Sequence, residues 1–155
     1  MTWSLRRSTA ADAAWIAELR AAVMRADLER LGVFDAGRVR ERFLGAFEPK
    51  DTRVIVVDGR DAGSIALRSA DDGWWIEHFY LRSDLQGRGI GSAVFATILA
   101  EVPAGDPIRI NVLQGSPARG LYDRHGFVSE RQDPVDVFLV RVARATEAPR
   151  RTTSR

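Results

Sequence analysis

The chain has 155 residues, 45% of them hydrophobic and 28% charged, proportions that suit a globular chain and argue against a wholly disordered one. It contains no cysteine, which excludes disulfides, thiolate metal sites and cysteine nucleophiles, and its two histidines, His78 and His125, are too few for a histidine-rich metal centre. The sequence pI of about 9.6 stands against a net charge of only +2, because every basic residue except Lys50 is arginine and arginine does not titrate below about pH 12.

The position of the charge matters more than its sum. After Ala143 the chain carries Arg144, Arg150, Arg151 and Arg155 against Glu147, a local +3 that leaves residues 1–143 at −1. The body of the protein is therefore not basic, which argues against nucleic acid as its partner. Residues 144–155 are polar without an apolar period and are expected to form a disordered, arginine-rich tail beyond one domain over residues 1–143. There is no apolar run of signal-peptide length near Met1 and no stretch of 18 apolar residues, so the expectation is a cytoplasmic protein with neither membrane nor nucleic acid as partner.

Trp3–Arg7 alternates as a first strand. Thr9 to Asp12 reads as a capping box, after which Ile16, Leu19 and Val23 recur at helical spacing. The charged stretch from Arg25 to Gly32 has no clear conformation. A second helix fits Asp35 to Phe47, where Val39, Phe43 and Phe47 fall four apart and Pro49 closes it. Thr52–Val57, the two-residue turn Asp58-Gly59 and Gly63–Arg68 form a hairpin, and a second turn at Asp71–Gly73 leads into the aromatic strand Trp74–Arg82. Ile90, Val94, Phe95, Ile98, Leu99 and Val102 then mark a helix from Gly89 to about Glu101. Ile108–Leu113 is a strand, Ser116–Arg124 a short helix ended by Gly126, and Phe127–Arg131 and Val135–Val142 are the last strands. The order predicts an α/β fold: a mixed, mostly antiparallel sheet of about seven strands flanked by about four helices.

The segment Gln86-Gly87-Arg88-Gly89-Ile90-Gly91-Ser92 lies between a strand and the first turn of a helix. Three glycines in five residues weaken any regular element, yet they let a ligand approach backbone N–H groups at a helix N-terminus, where phosphate binds well, and Arg88 would add a charged donor. A tight turn without ligand has the same spacing. A dinucleotide fingerprint fails because Ser92 and Val94 stand where its third glycine is required, and no Gly-Lys-Ser/Thr exists for a Walker loop.

Gln86-x-x-Gly89-x-Gly91 resembles the Q/R-x-x-G-x-G/A signature of the GNAT N-acetyltransferase superfamily, which binds acetyl-coenzyme A. A second stretch, Ser116-Pro-Ala-Arg-Gly-Leu-Tyr122-Asp-Arg-His-Gly126-Phe127, resembles that family's A-x-x-L-Y-x-x-x-G-F. Together with the order of elements, the resemblance covers most of residues 1–142. It departs from the pattern at Gly115, where the family commonly has an asparagine that contacts the pantetheine arm. Ser116 beside it would take that contact or cap the short helix, the latter ranking first.

The resemblance implies coenzyme A lying between two splayed strands, Trp74–Arg82 and Ile108–Leu113, with no metal. Backbone N–H groups near Phe79, Tyr80 and Leu81 would bind pantetheine and polarise the thioester carbonyl, and Gln86, Gly87, Arg88, Gly89, Ile90, Gly91 and Ser92 would hold the pyrophosphate. Tyr122 matches the family's general acid. Glu77 ranks above His78 as base, with pairing to an arginine as the alternative role. Strand alternation puts Trp75, Glu77, Phe79 and Leu81 on one face and His78 and Tyr80 on the other, unless a bulge intervenes. His125 is expected to complement its helix C-terminus, and Trp74 and Trp75 to fill core. Asp27 and Glu29, read as loop residues, would either attract an acceptor ammonium or simply be solvated. The implied function is acetyl-CoA-dependent transfer of an acetyl group directly to a primary amine of a small molecule or protein. The alternative is a non-catalytic acyl-CoA-binding regulatory or interaction module. Homodimers are common in the family, so a homodimer stays open.

Overall fold

Seven strands and four helices follow one another in the computed structural model, which describes residues 1–142. They are β1 (Trp3–Arg7), α1 (Ala13–Arg30), α2 (Ala36–Ala46), β2 (Thr52–Val57), β3 (Arg60–Ala70), β4 (Gly73–Leu81), α3 (Ile90–Leu99), β5 (Ile108–Leu113), α4 (Arg119–Arg124), β6 (Val128–Gln132) and β7 (Asp136–Arg141). One sheet takes the order β1-β2-β3-β4-β5-β7-β6. The expected mixed α/β architecture is therefore present. The tail expected at 144–155 lies outside the described residues.

Thr9 and Asp12 form the anticipated capping box, but around a 3₁₀ turn, Ala10–Asp12, that runs on into α1. Asp12 is buried, takes the Arg6 guanidinium at 2.7 Å and accepts from the Trp15 indole at 2.8 Å. These bonds hold its carboxyl at about 2, well below the ordinary 3.8. The charged stretch after Arg25 is helical, which local periodicity did not show. The pairs Arg25–Glu29 and Asp27–Arg30 bridge one turn each, and buried Leu28 anchors the end of α1. Asp35 caps α2 by accepting from Arg38 N, and α2 buries Val39 and Phe43.

The main core lies between the sheet and α3 and α4. Phe95, Val94 and Ile98 of α3 meet Ile65, Ile76, Ile110 and Leu139 there, and Tyr122 and Phe127 join them. A second cluster, Ile16, Ala17, Phe43 and Val54, packs α1 and α2 on the opposite face. Trp74 packs against the main core and Trp75 stands beside Arg68, 5.8 Å from ring centroid to guanidinium carbon.

Two irregularities shape the centre of the sheet. β4 and β5 are parallel neighbours but pair only at Trp74↔Ile108 and Trp75↔Arg109, and beyond those two rungs they diverge. The second irregularity is in β4 itself. Ser64 pairs with Tyr80 and Ala66 with Glu77, so Ile65 faces two residues, His78 and Phe79. That is a β-bulge, and His78 sits in it with φ of 51°. The bulge corrects the simple alternation. Ile76, Phe79 and Leu81 pack toward α3, whereas His78 and Tyr80 meet Phe43 of α2, so Glu77 does not share a face with Phe79 and Leu81. Gly63 makes the bulge possible from the other strand: a Cβ there would lie 2.1 Å from the Tyr80 carbonyl oxygen.

Candidate active site

The divergence of β4 and β5 opens a groove of about 800 Å³. Phe79, Tyr80 and Leu81 form one wall, and Asn111, Val112 and Leu113 the other. Arg82 N–H donates to Ala62 of β3 at 2.9 Å, and the His78 carbonyl accepts from the Ser64 hydroxyl of β3 at 2.7 Å, so the N–H groups of Leu81 and Phe79 turn away from β3 and toward the gap. Two backbone donors therefore face the groove without a strand partner among the described residues. Gln86 closes the end of this wall by donating its amide to the Leu81 carbonyl at 2.8 Å.

The glycine loop lies at one end. Gly89 caps α3 in the left-handed conformation, φ 85°, with nothing within 4 Å of where a Cβ would stand. Gln86, Gly87, Gly89, Gly91 and Ser92 line the groove, so the helix N-terminus opens onto it. Arg88 is exposed and outside this lining, and the Ile90 side chain is buried in the core beneath the loop.

Tyr122 of α4 reaches the groove from the floor, 6% exposed. Phe95 packs 5.2 Å from its ring and Phe127 6.2 Å, while Phe79 stacks on Phe95 at 5.8 Å. This aromatic set fixes the phenol, and burial pushes its ionisation above the ordinary tyrosine range, so it carries its proton at any working pH. His125 donates Nδ1–H to the Leu121 carbonyl at 2.9 Å, at the C-terminal end of α4 as expected.

The helix α4 starts at Arg119, later than its pattern suggested. Ser116 precedes it in a turn and accepts from Ala118 N at 3.3 Å instead of occupying the cap position, which Ala118 holds. Ser116 also lines the groove. Where the departure at Gly115 leaves no side chain, the Arg30 guanidinium fills the space, and a Cβ would meet it at 2.9 Å.

Glu77 is not among the groove-lining residues. Its carboxylate is gripped by Arg68 through two contacts, 2.8 and 3.1 Å. The groove instead gains Val23, Met24, Ala26 and Asp27, because α1 continues past Arg25. Asp27 and Glu29 are thus helical residues, paired with Arg30 and Arg25 respectively. Asn111 and Arg124 line the groove as well. The polar position of Asn111 between Ile110 and Val112, and the helical offset of Arg124 from Leu121, are the sequence signals that point to them.

Comparison with known proteins adds an independent line. A family model described as the acetyltransferase (GNAT) domain matches residues 50–129, which include the loop and the Leu121-Tyr122 stretch. No curated protein matches the chain in sequence. Among solved structures, the chain resembles the PaiA N-acetyltransferase of Thermoplasma acidophilum in complex with coenzyme A, with TM-score 0.71 and 15% identity over 92% of this chain and 99% of that one. An acetyltransferase from Thermus thermophilus superposes with TM-score 0.71 and 16% identity over 92% and 97% of the two chains. N-acetylglutamate synthase of Neisseria gonorrhoeae, complexed with coenzyme A and N-acetyl-glutamate, gives 0.63 and 17% over 92% of this chain and 35% of that one. These likenesses are likenesses of fold.

Proposed function

The chain belongs to the GNAT acetyltransferase family, and on that premise we propose that it transfers an acetyl group from acetyl-coenzyme A directly to a primary amine. The observation that carries this reading is the groove itself. Unpaired backbone donors of a bulged strand, a glycine-capped helix N-terminus and a buried, protonated tyrosine line one opening. Coenzyme A bound to the structural relative from T. acidophilum supports placing the same coenzyme in it.

In this reading the pyrophosphate lies against the N–H groups of the loop Gly87–Ser92, where the dipole of α3 favours negative charge. Arg124, which lines the groove, adds positive charge, and Arg88 adds more from the exposed side of the loop. The pantetheine arm runs along the gap, and the Phe79 and Leu81 N–H groups donate to it and to the thioester oxygen. As the amine attacks, negative charge grows on that oxygen, and fixed donors in a partly dry groove stabilise it. Collapse of the adduct expels a thiolate, and Tyr122 supplies its proton. With no cysteine in the chain, transfer without a cysteine-bound acyl intermediate follows. The acceptor enters beside Val23, Met24, Ala26 and Asp27 of α1.

Thermal denaturation with acetyl-CoA, followed by coenzyme A release across a panel of small amines and peptides, tests this. Ligand at about 100 times its Kd adds about 2.7 kcal/mol, which raises Tm by roughly 8 °C for a chain of this size. No stabilisation by millimolar acetyl-CoA overturns the reading. Stabilisation with silence across the panel selects instead an acyl-CoA-binding module, a reading the glycine at position 115 favours.

A further inference from the structure

His78 occupies the bulge of β4 with φ of 51°, a backbone strain that an L-residue other than glycine bears at a cost of order 1 kcal/mol and that collects at functional sites. Its ring stands edge-on to Phe43, 4.9 Å between centroids, and its Nδ1 lies 3.3 Å from the Tyr80 hydroxyl. Tyr80 lines the groove, where the acceptor must enter between β4 and α1. Tyr80, a residue of the groove wall, thus leads to an imidazole behind it, its hydroxyl is also within hydrogen-bond reach of Arg20 of α1, and Glu77 is tied to Arg68.

We propose that Tyr80 and His78 form a proton relay, in which the Tyr80 hydroxyl takes the proton of the attacking acceptor nitrogen and passes its own to His78 Nδ1. The proposal rests on the acetyltransferase reading above. As the C–N bond forms, one N–H bond of the acceptor breaks and its proton goes to Tyr80 Oη. The original Tyr80 O–H proton moves to Nδ1, giving an imidazolium. Tyr122 meanwhile protonates the departing thiolate, and solvent resets both residues, so the products are the amide and coenzyme A.

The surroundings suit this role. Burial is the largest influence on His78 and lowers its ionisation below the ordinary 6.5. Arg20 of α1 and Arg68 of β3 act in the same direction, and Glu77 on its own strand opposes them. From α2 the ring meets Phe43, which carries no charge. The imidazole is therefore neutral near pH 7, with Nδ1 available as acceptor. Burial also pushes the Tyr80 phenol up to about 12. A free tyrosinate is thus rare, and the hydroxyl works only by receiving one proton as it gives up another.

The test is kcat against pH for the full chain, with saturating acetyl-CoA and an amine accepted in the panel. The wild type is expected to lose rate on the acid side with a midpoint below 6.5. His78→Asn keeps a residue that tolerates the left-handed backbone, and Tyr80→Phe keeps the ring. Both are expected to lower the plateau at least tenfold, abolish the acidic limb and leave stabilisation by acetyl-CoA unchanged. His78→Asn with the wild-type plateau and limb overturns the relay, as does Tyr80→Phe that retains the limb. A wild type bound by acetyl-CoA yet silent toward every amine overturns the acetyltransferase reading and the relay with it. Independently of the variants, NMR titration of the wild type separates two histidines, and a His78 midpoint at or above 6.5 overturns the relay.

Discussion

Gly63→Ala tests whether the bulged strand depends on a close backbone approach. The added methyl would stand 2.1 Å from the Tyr80 carbonyl oxygen and 3.2 Å from Leu81 Cα, the first more than 1 Å inside an ordinary carbon–oxygen contact. Both neighbours are main chain, so no rotamer relieves the clash, and β3 and β4 must separate locally. Overpacking of this kind costs about 3 kcal/mol, the upper end of its usual range. At about 3 °C per kcal/mol for a chain of this length, Tm falls by roughly 9 °C. Because Tyr80 and Leu81 form the groove wall, the rise in Tm with acetyl-CoA also shrinks. Gly45→Ala supplies the contrast. That glycine lies in α2 with nothing within 4 Å of its Cβ position, so alanine raises stability by about 0.5–1 kcal/mol. Differential scanning fluorimetry of both variants, with and without acetyl-CoA, is the assay. A Gly63→Ala protein melting within about 2 °C of wild type, with the full ligand shift, refutes the steric argument.

Tyr122→Phe keeps the aromatic packing with Phe95 and Phe127 and removes the proton donor, so kcat falls about 100-fold while acetyl-CoA still stabilises. A full rate in steady-state assays removes the general-acid assignment. Asp12 has a folded ionisation at about 2 against an ordinary 3.8, so its bonds to Arg6 and Trp15 stabilise above about pH 4 and are lost as pH falls through that window. Asp12→Asn lowers stability at pH 7 by about 2 kcal/mol, with a smaller difference from wild type at pH 3 in urea titrations. Glu77→Gln removes a partly exposed ion pair worth about 1 kcal/mol or less and one influence that favours a charged His78. The kcat plateau stays within about threefold while the acidic limb moves to lower pH. A large loss of plateau rate would return Glu77 to the reaction itself.

What could be read from the sequence was decided locally. The Asp58-Gly59 hairpin turn, with φ of 50° and 78°, needs only two residues, and the capping box at Thr9 only four. The glycine loop and the Leu121-Tyr122 stretch were visible for the same reason. The missed features each depend on a partner far along the chain. The bulge at His78 exists because Gly63 admits the Tyr80 carbonyl, so no window on β4 alone could reverse the faces of Glu77 and Phe79. The charged end of α1 is held by Leu28, buried in a cluster with Val39 and Leu113, and by Arg30, which donates to the Gln114 carbonyl, and this brought Asp27 to the groove. The groove follows from strands that stop pairing, and an absent hydrogen-bond ladder has no residue pattern of its own.

The joint between β4 and β5 has a mechanical consequence. Only two registered pairs couple β1–β4 to β5–β7 across the middle of the sheet, so the two halves resemble leaves on a short spine. Under the proposed function, a coenzyme whose amide-bearing arm bonded to both inner edges would supply the missing rungs. Bound ligand would then behave as an additional strand, and its signature would be mechanical as much as chemical. Amide exchange at Phe79 and Leu81 should slow on binding, and the slowing should spread to the far half of the sheet. On that reading the halves gain a second coupling beside the core that they already share under α3.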